Sequence, residues 1–366
     1  MRIAILAGSA VLLLARLVDG QAVKGTEFLP HHLAVLRAGD GEMSLGLRQA
    51  PIFIDQFDPD ASNSSPSFSL PIPTNGPDSF FFNGHAATEG NLTRSADHKL
   101  LVFAGYGGVN LLQINGTASR VGLQHGICTV NGAGKTRIFL YPTDDAYVKR
   151  NARGAVTDGS NDFWGCGNAN GTFYYNPSDD HSPVRFSEFP NSRAIEIINN
   201  ALYVSMNAAD SYASGNPEGV YCFLPVAFPR EANAAVKLAI PAAPGYDKIV
   251  DFDISPAGNI AYLSDTAAGI QKYVKSPQGW KFAYNFSIPQ NIPKDLNNAA
   301  GGFGLAVDFG GSAPIIYATT TEGYGNSVNS NRVIRIVDTN SAALVATLVQ
   351  ANSTNFAFRG ITFTPE

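Results

Sequence analysis

Phe358-Arg-Gly-Ile-Thr-Phe-Thr-Pro-Glu366 closes the sequence and reads as a single β-strand with no second strand after it. Its Arg359-Gly360 matches Arg153-Gly154, which opens a complete hairpin pattern: a short apolar strand, a tight turn, and a second, more hydrophobic strand. Five complete copies occur. They are EGNLTRSADHKLLVFAGYGG from Glu89, RGAVTDGSNDFWGCGNANG from Arg153, RAIEIINNALYVSMNAAD from Arg193, KIVDFDISPAGNIAYLSDTAAG from Lys248 and GFGLAVDFGGSAPIIYATTTEG from Gly302. Each places two β-rich runs around Gly, Asn, Asp and Ser turn formers. The partner missing from the sixth copy is Leu33 to Asp40, LAVLRAGD, near the other end of the chain. A last strand that completes a sheet begun by the first segment closes a ring and protects the terminal edges.

The hairpins start near 89, 153, 193, 249, 303 and 359. That spacing fits four-stranded blades, which take about 40–50 residues each. The sequence therefore predicts an all-β, six-bladed β-propeller over 21–366 as one domain. A two-sheet sandwich is the alternative, and it leaves the split sixth copy unexplained.

Composition agrees. Gly 36 and Pro 22 among 366 residues, with 15% charged and 45% hydrophobic, suit short strands and many turns. The hydrophobic share excludes a disordered chain. A net charge of −5 argues against a nucleic-acid partner, which needs a basic face. Residues 1–20 read as a signal peptide: Arg2, an apolar run Ile3–Leu14, and Val18 and Gly20 before Gln21. The run is too short to span a bilayer, and none is expected to. Six N-x-S/T sequons, at Asn63, Asn91, Asn115, Asn170, Asn285 and Asn352, are candidate glycosylation sites and point the same way, to secretion or a secretory-pathway lumen. Cys128, Cys166 and Cys222 allow one disulfide plus a free thiol, or three buried thiols.

Several motifs fail. Gly134-Lys135-Thr136 lacks the earlier glycine and the following helix of a phosphate loop. Asp251, Asp253 and Asn259 invite an oxygen-ligand reading, but strand alternation and the hairpin turn Ser255–Asn259 account for them. No cofactor or metal is expected. The chemistry should instead lie where the strand starts converge: Glu89, Arg153, Arg193, Lys248, Phe303 and Arg359. Charges on buried strands must be paired, so this ring is either structural or functional. Long connections add Glu42, Tyr106, His125, Asp210, Tyr212, Glu322, Tyr324 and Asn326. The expected site has Glu89, Glu322 and Asp210 as acids, with Arg153, Arg193, Arg359, Tyr106, Tyr212, Tyr324, Asn326 and His125 binding the ligand.

HHLAVLRAGDG, TEGNLTRSADHKLLVFAGYGG and RGITFTPE together resemble a family of secreted bacterial and fungal propeller proteins, over nearly the whole mature chain. EGYGNSVNSNRVIRIVD, Glu322 to Asp338, is similar to the propeller family encoded in fungal trichothecene toxin clusters. The resemblance implies a role in sesquiterpenoid mycotoxin biosynthesis, with ring closure by loss of an allylic hydroxyl, or in plant infection. It supplies no catalytic motif. Two classes stay open: a cofactor-free cyclase or dehydratase acting on a small polyoxygenated molecule, and a monomeric secreted virulence protein that binds a glycan or host surface. A shielded apolar pocket favours the first, and a shallow aromatic groove the second.

Overall fold

The computed structural model describes residues 27–42, 45, 49–62, 65–84, 86–107, 124–142, 147, 150–168, 171–179, 181–207, 216–289, 300–322, 331–339, 345–350 and 355–366. Every helix or strand among them is a β-strand. The signal segment expected at 1–20 lies outside the described residues.

β1 (Leu33–Ala38), β2 (Gln49–Phe57), β3 (Phe68–Pro71), β4 (Phe80–Asn83), β5 (Thr93–Arg94), β6 (Leu100–Gly107), β7 (Gln124–Asn131) and β8 (Thr136–Leu140) begin the chain. Then come β9 (Ala152–Thr157), β10 (Phe163–Gly167), β11 (Thr172–Tyr175) and β12 (Val184–Ser187), which form one antiparallel sheet. β13 (Ser192–Ile198), β14 (Ala201–Met206), β15 (Gly219–Phe223) and β16 (Val236–Pro241) form the next. β17 (Ile249–Ile254), β18 (Ile260–Asp265), β19 (Gly269–Ser276) and β20 (Gly279–Phe286) follow, and then β21 (Gly302–Asp308), β22 (Ile315–Thr320), β23 (Arg332–Val337) and β24 (Val345–Gln350). The last strand, β25 (Ala357–Phe363), joins the nine-stranded sheet that holds β1–β8. That sheet contains two runs, β25-β1-β2-β3 and β5-β6-β7-β8, linked by β4, which pairs with both β2 and β6.

The five predicted hairpins are β5–β6, β9–β10, β13–β14, β17–β18 and β21–β22. Their turns carry the expected chemistry. Asn199 and Asn200 both sit at positive φ, 51° and 59°, between β13 and β14, the two-residue geometry that Asn tolerates. Gly134 belongs to the β7–β8 turn, so the phosphate-loop fragment is a hairpin. The split sixth copy is completed: β25 pairs with β1, Leu33 opposite Phe363 and Ala38 opposite Ala357. Sequence patterning does not reveal β4, a strand of three phenylalanines and Asn83 that stitches two four-stranded runs together.

The first strands β5, β9, β13, β17, β21 and β25 touch in that order, and β25 touches β5 again, a closed circuit. The hydrophobic core lies between neighbouring sheets. Val156 and Trp164 pack on Ile195 and Val204, for example, and Ile249 and Phe252 on Ala194 and Val220. This is an all-β array of antiparallel sheets packed face to face around a centre, the organisation of a β-propeller. Five sheets overturn the two-sheet sandwich.

Candidate functional site

Five first strands share one irregularity near their leading ends. Arg153 is an extra residue on β9 and Val250 on β17. Arg193-Ala194, Phe303-Gly304 and Arg359-Gly360 each oppose a single partner residue on β13, β21 and β25. A β-bulge of this kind re-aims side chains and sharpens the local twist. Glycine is needed at two of them because adjacent first strands approach closely. A Cβ on Gly304 would lie 2.7 Å from the Arg359 carbonyl oxygen, and one on Gly360 2.3 Å from the Leu92 amide nitrogen. Hydroxyls bridge the same seams. Ser205 Oγ accepts the Ala194 amide (2.9 Å) and donates to the Val250 carbonyl (3.1 Å). Thr319 Oγ1 accepts the Gly304 amide (2.9 Å) and donates to the Arg359 carbonyl (2.5 Å).

The bulges bring Arg153, Arg193, Phe303 and Arg359 to equivalent places, as the repeat predicts. Lys248 departs: it is exposed, and Val250 takes its place in the ring. Arg153 is buried and bridges sheets, donating to Asn191 Oδ1 (2.6 Å), the Ser192 carbonyl (3.0 Å) and Thr88 Oγ1 (3.3 Å). Arg359 donates to the Ala87 carbonyl (3.0 Å).

Two of the three predicted acids, Glu89 and Glu322, are enclosed rather than poised. Glu89 is buried; it accepts the Tyr106 hydroxyl (2.5 Å), the Asn83 amide (2.9 Å) and the Asn151 side chain. Tyr106 is therefore a buried partner of Glu89 on β6. His125 lies on strand β7, not in a loop; its Nε2 is 2.7 Å from the Arg150 carbonyl and its ring 4.8 Å from that of Tyr106. Glu322, just after β22, is buried in an ion pair with Arg332 and accepts the Thr320 hydroxyl. Asp210, Tyr212, Tyr324 and Asn326 lie outside the described residues, as do sequons Asn63, Asn115, Asn170 and Asn352. Asn91 is 4% exposed, which leaves no open surface for a glycan. Asn285 donates Nδ2 to the Ala268 carbonyl (2.9 Å). All three cysteines are buried free thiols, so the disulfide alternative falls. Burial pushes Cys166 up to about 12 and raises Cys128 further.

Two small cavities open at the strand starts, one on each side of Phe303. Thr88, Asn91, Arg193, Val250 and Asp251 line the first, and Thr320, Thr321, Glu322, Asn331 and Arg359 are among those lining the second. Each has a volume of about 10 Å³, room for about one water molecule. Asp251, 2% exposed, is the acid of the first cavity. Desolvation raises its pKa well above the ordinary value, against the pull of the Leu305 and Phe252 amides. Its neighbours Glu196 and Asp253 are raised by burial too, Asp253 to about 7. A legible signal was present: two acids at i and i+2 in Ile249-Val-Asp-Phe-Asp-Ile254 put charge on one face of a buried strand. Among the described residues no group of three or more His, Cys, Asp or Glu is arranged to hold a metal ion, and no helix is long and apolar enough to cross a membrane.

No family model matches the chain, and no curated protein sequence matches it. Several solved structures are similar in shape. The periplasmic gluconolactonase of Pseudomonas aeruginosa aligns with a TM-score of 0.46 at 13% identity, covering 87% of this chain and 83% of that one. TolB from Acinetobacter baumannii gives 0.44 at 9%, covering 92% and 67%. Apo AztD from Citrobacter koseri gives 0.38 at 9%, covering 91% and 98%. At these scores they assign neither an activity nor a ligand.

Proposed function

We propose that this chain is a six-bladed propeller, closed between β1 and β25, that binds a small polyoxygenated molecule over the bulged strand starts and acts on it with a channel carboxyl group, without a redox cofactor. Six touching first strands and the β1–β25 pairing support the blade count. The observation that carries the chemistry is Asp251. It lines a cavity beside Arg193, Thr88 and Asn91, and burial raises its pKa, which favours the proton-bearing form a general acid needs. Glu89 and Glu322 then hold the rim, each bound by several donors. The resemblance of Glu322–Asp338 to the toxin-cluster family narrows the substrate to a sesquiterpenoid, with loss of an allylic hydroxyl as water and ring closure by a second hydroxyl. The signal-like residues 1–20 and the sequons add a secretory-pathway location to this reading, and the protein is taken to act as a monomer.

A second reading is a secreted binding protein without catalysis. The small size of both cavities favours it. Metabolite profiling of a deletion strain of the producing organism separates the two. Loss of one oxygenated terpenoid product, restored by the wild-type gene and not by Asp251→Asn, supports the enzyme. An unchanged metabolite profile in the deletion strain overturns it. Glu89→Gln and Glu322→Gln are expected to reduce folded yield rather than change the product.

A further inference from the structure

The Gly90-Asn91 segment ahead of β5 is gripped from both sides by the Arg-Gly bulges. The Gly360 amide donates to the Gly90 carbonyl (2.7 Å), and the Asn91 amide donates to the Arg153 carbonyl (3.1 Å). Gly154 leaves room for the Asn91 side chain, since a Cβ there would lie 2.7 Å from Asn91 Oδ1. Asn91 is thereby fixed in the wall of the first cavity, which Asp251 also lines. Its Oδ1 is buried, in a residue 4% exposed, and accepts no hydrogen bond from the protein. Buried polar groups are almost always partnered, so an acceptor without a donor at a cavity wall points to a donor that arrives from outside the chain. The other polar walls are held in place. Asp251 Oδ1 accepts the Phe252 amide (3.0 Å) and Oδ2 the Leu305 amide (2.9 Å), which fixes the plane of the carboxyl group. Thr88 Oγ1 accepts Arg153 Nε (3.3 Å).

The walls select what can enter. A volume of about 10 Å³ admits one non-hydrogen atom. Asn91 Oδ1 only accepts and the Arg193 guanidinium only donates, so an entrant that serves both must donate and accept. Arg193 disfavours a cation, and the Asn91 and Asp251 oxygens disfavour an anion. A hydroxyl meets all of these conditions. We propose that this cavity is a hydroxyl seat: one ligand hydroxyl enters it, donates to Asn91 Oδ1 and accepts from Arg193, and Asn91 sets the specificity for that hydroxyl. The proposal deepens the reading of the strand starts as a small-molecule site and rests on it. It names the ligand class as a neutral molecule with one projecting hydroxyl, the remainder of which lies outside the cavity over the bulged strands. Phe303, in the same wall, offers an apolar surface to the carbon that carries the hydroxyl.

Methanol and methylammonium, nearly isosteric one-carbon probes, test the seat on the purified protein. The Leu305 and Phe252 amides, bonded to Asp251, report on the cavity by NMR in every variant. Methanol is expected to shift them saturably in wild type, with methylammonium binding about tenfold weaker, the ratio that one lost polar partner produces. Asn91→Leu, close in shape and without an acceptor, should abolish the saturable methanol shift. Asn91→Asp keeps the acceptor and adds a negative charge, so it should move the preference toward methylammonium; a purely structural Asn91 would leave the ratio unchanged. Should Asn91→Leu fail to fold, the wild-type ratio and Asn91→Asp carry the test, together with a methanol-soaked crystal, in which the probe's oxygen is expected within hydrogen-bond distance of Asn91 Oδ1. The seat is overturned by no saturable shift in wild type, by equal affinity for the two probes, by unchanged methanol binding in Asn91→Leu, or by an ordered water at Asn91 that methanol does not displace. Each of those results leaves binding elsewhere at the mouth standing. An unchanged metabolite profile in the deletion strain overturns the enzyme reading of the mouth without touching the methanol result.

Discussion

Arg153 shows how a residue predicted as either structural or functional is placed by its neighbours. Its guanidinium spans from the Thr88 hydroxyl to Asn191 and Ser192 in the next sheet. Removing it strands the Asn191 and Ser192 acceptors in the interior, and charged hydrogen bonds of this kind contribute about 1.5–3 kcal/mol each. Arg153→Ala should therefore lower the unfolding free energy by about 2–4 kcal/mol in urea titration, while Arg153→Lys recovers only part of it, because an ammonium lacks the planar fork. A loss below ~0.5 kcal/mol, typical of exposed positions, would show that the bridge contributes little. The acids were harder to read from sequence. Glu89 was found, but its enclosure by Tyr106, Asn83 and Asn151 depends on residues 6 to 62 positions away. Alternation puts Asp251 and Asp253 on one face of β17, but it does not report the burial of Asp251 or the cavity it lines, which neighbouring sheets supply.

Among the elements, the first strands carry the most information. Their bulges let six strands crowd together, and glycine at 304 and 360 is the means. Gly360→Ala would push a methyl group into the Leu92 backbone and Gly90 carbonyl, which cannot move as a flexible side chain would. Overpacking of this kind costs about 1–3 kcal/mol, so thermal denaturation should show a clear fall in Tm. An unchanged Tm would mean that the seam between β25 and the β5 run is loose. The Arg-Gly pairs at 153–154 and 359–360 were legible as a repeat, and both prove to lie at bulges. β4 was not legible: Phe80–Asn83 lacks alternation, since all three phenylalanines are buried between two runs of one sheet.

For the whole molecule, the β1–β25 seam and the channel acids set the stability. Deleting Gly360–Glu366 strips a strand from Leu33 and Val35 and uncovers Phe57 and Phe358, an apolar edge. The truncated chain should aggregate, by soluble yield and size-exclusion profile; a soluble chain melting with the full-length one would remove β25 from the stabilising framework. The acids predict a pH dependence. Folding raises the pKa of Asp253 to about 7 and also raises Glu196 and Asp251. The folded state then binds more protons than the unfolded one, so stability is fullest near pH 4 and falls as pH rises through 7. Tm measured from pH 4 to pH 8 should decline, and Asp253→Asn should flatten the decline. Asp97, held below its ordinary value by Ser95 and Lys99, works oppositely and only at lower pH.

By itself the sequence determined the all-β class, the hairpins, their turns and the joining of the two chain ends, because these follow from short-range periodicity and turn chemistry. It also determined four of the residues at the strand starts, Arg153, Arg193, Phe303 and Arg359, but not Val250, where it pointed to Lys248. Only the tertiary structure decided what those residues do. Whether Glu89 is an available acid or an enclosed one, whether Lys248 or Val250 enters the ring, and whether Asp251 is exposed or lines a buried cavity all depend on bulges and on contacts between adjacent sheets. The physical reason is range. A hairpin is fixed by neighbours along the chain, whereas a carboxyl group's solvation and proton affinity are fixed by whatever strands fold against it.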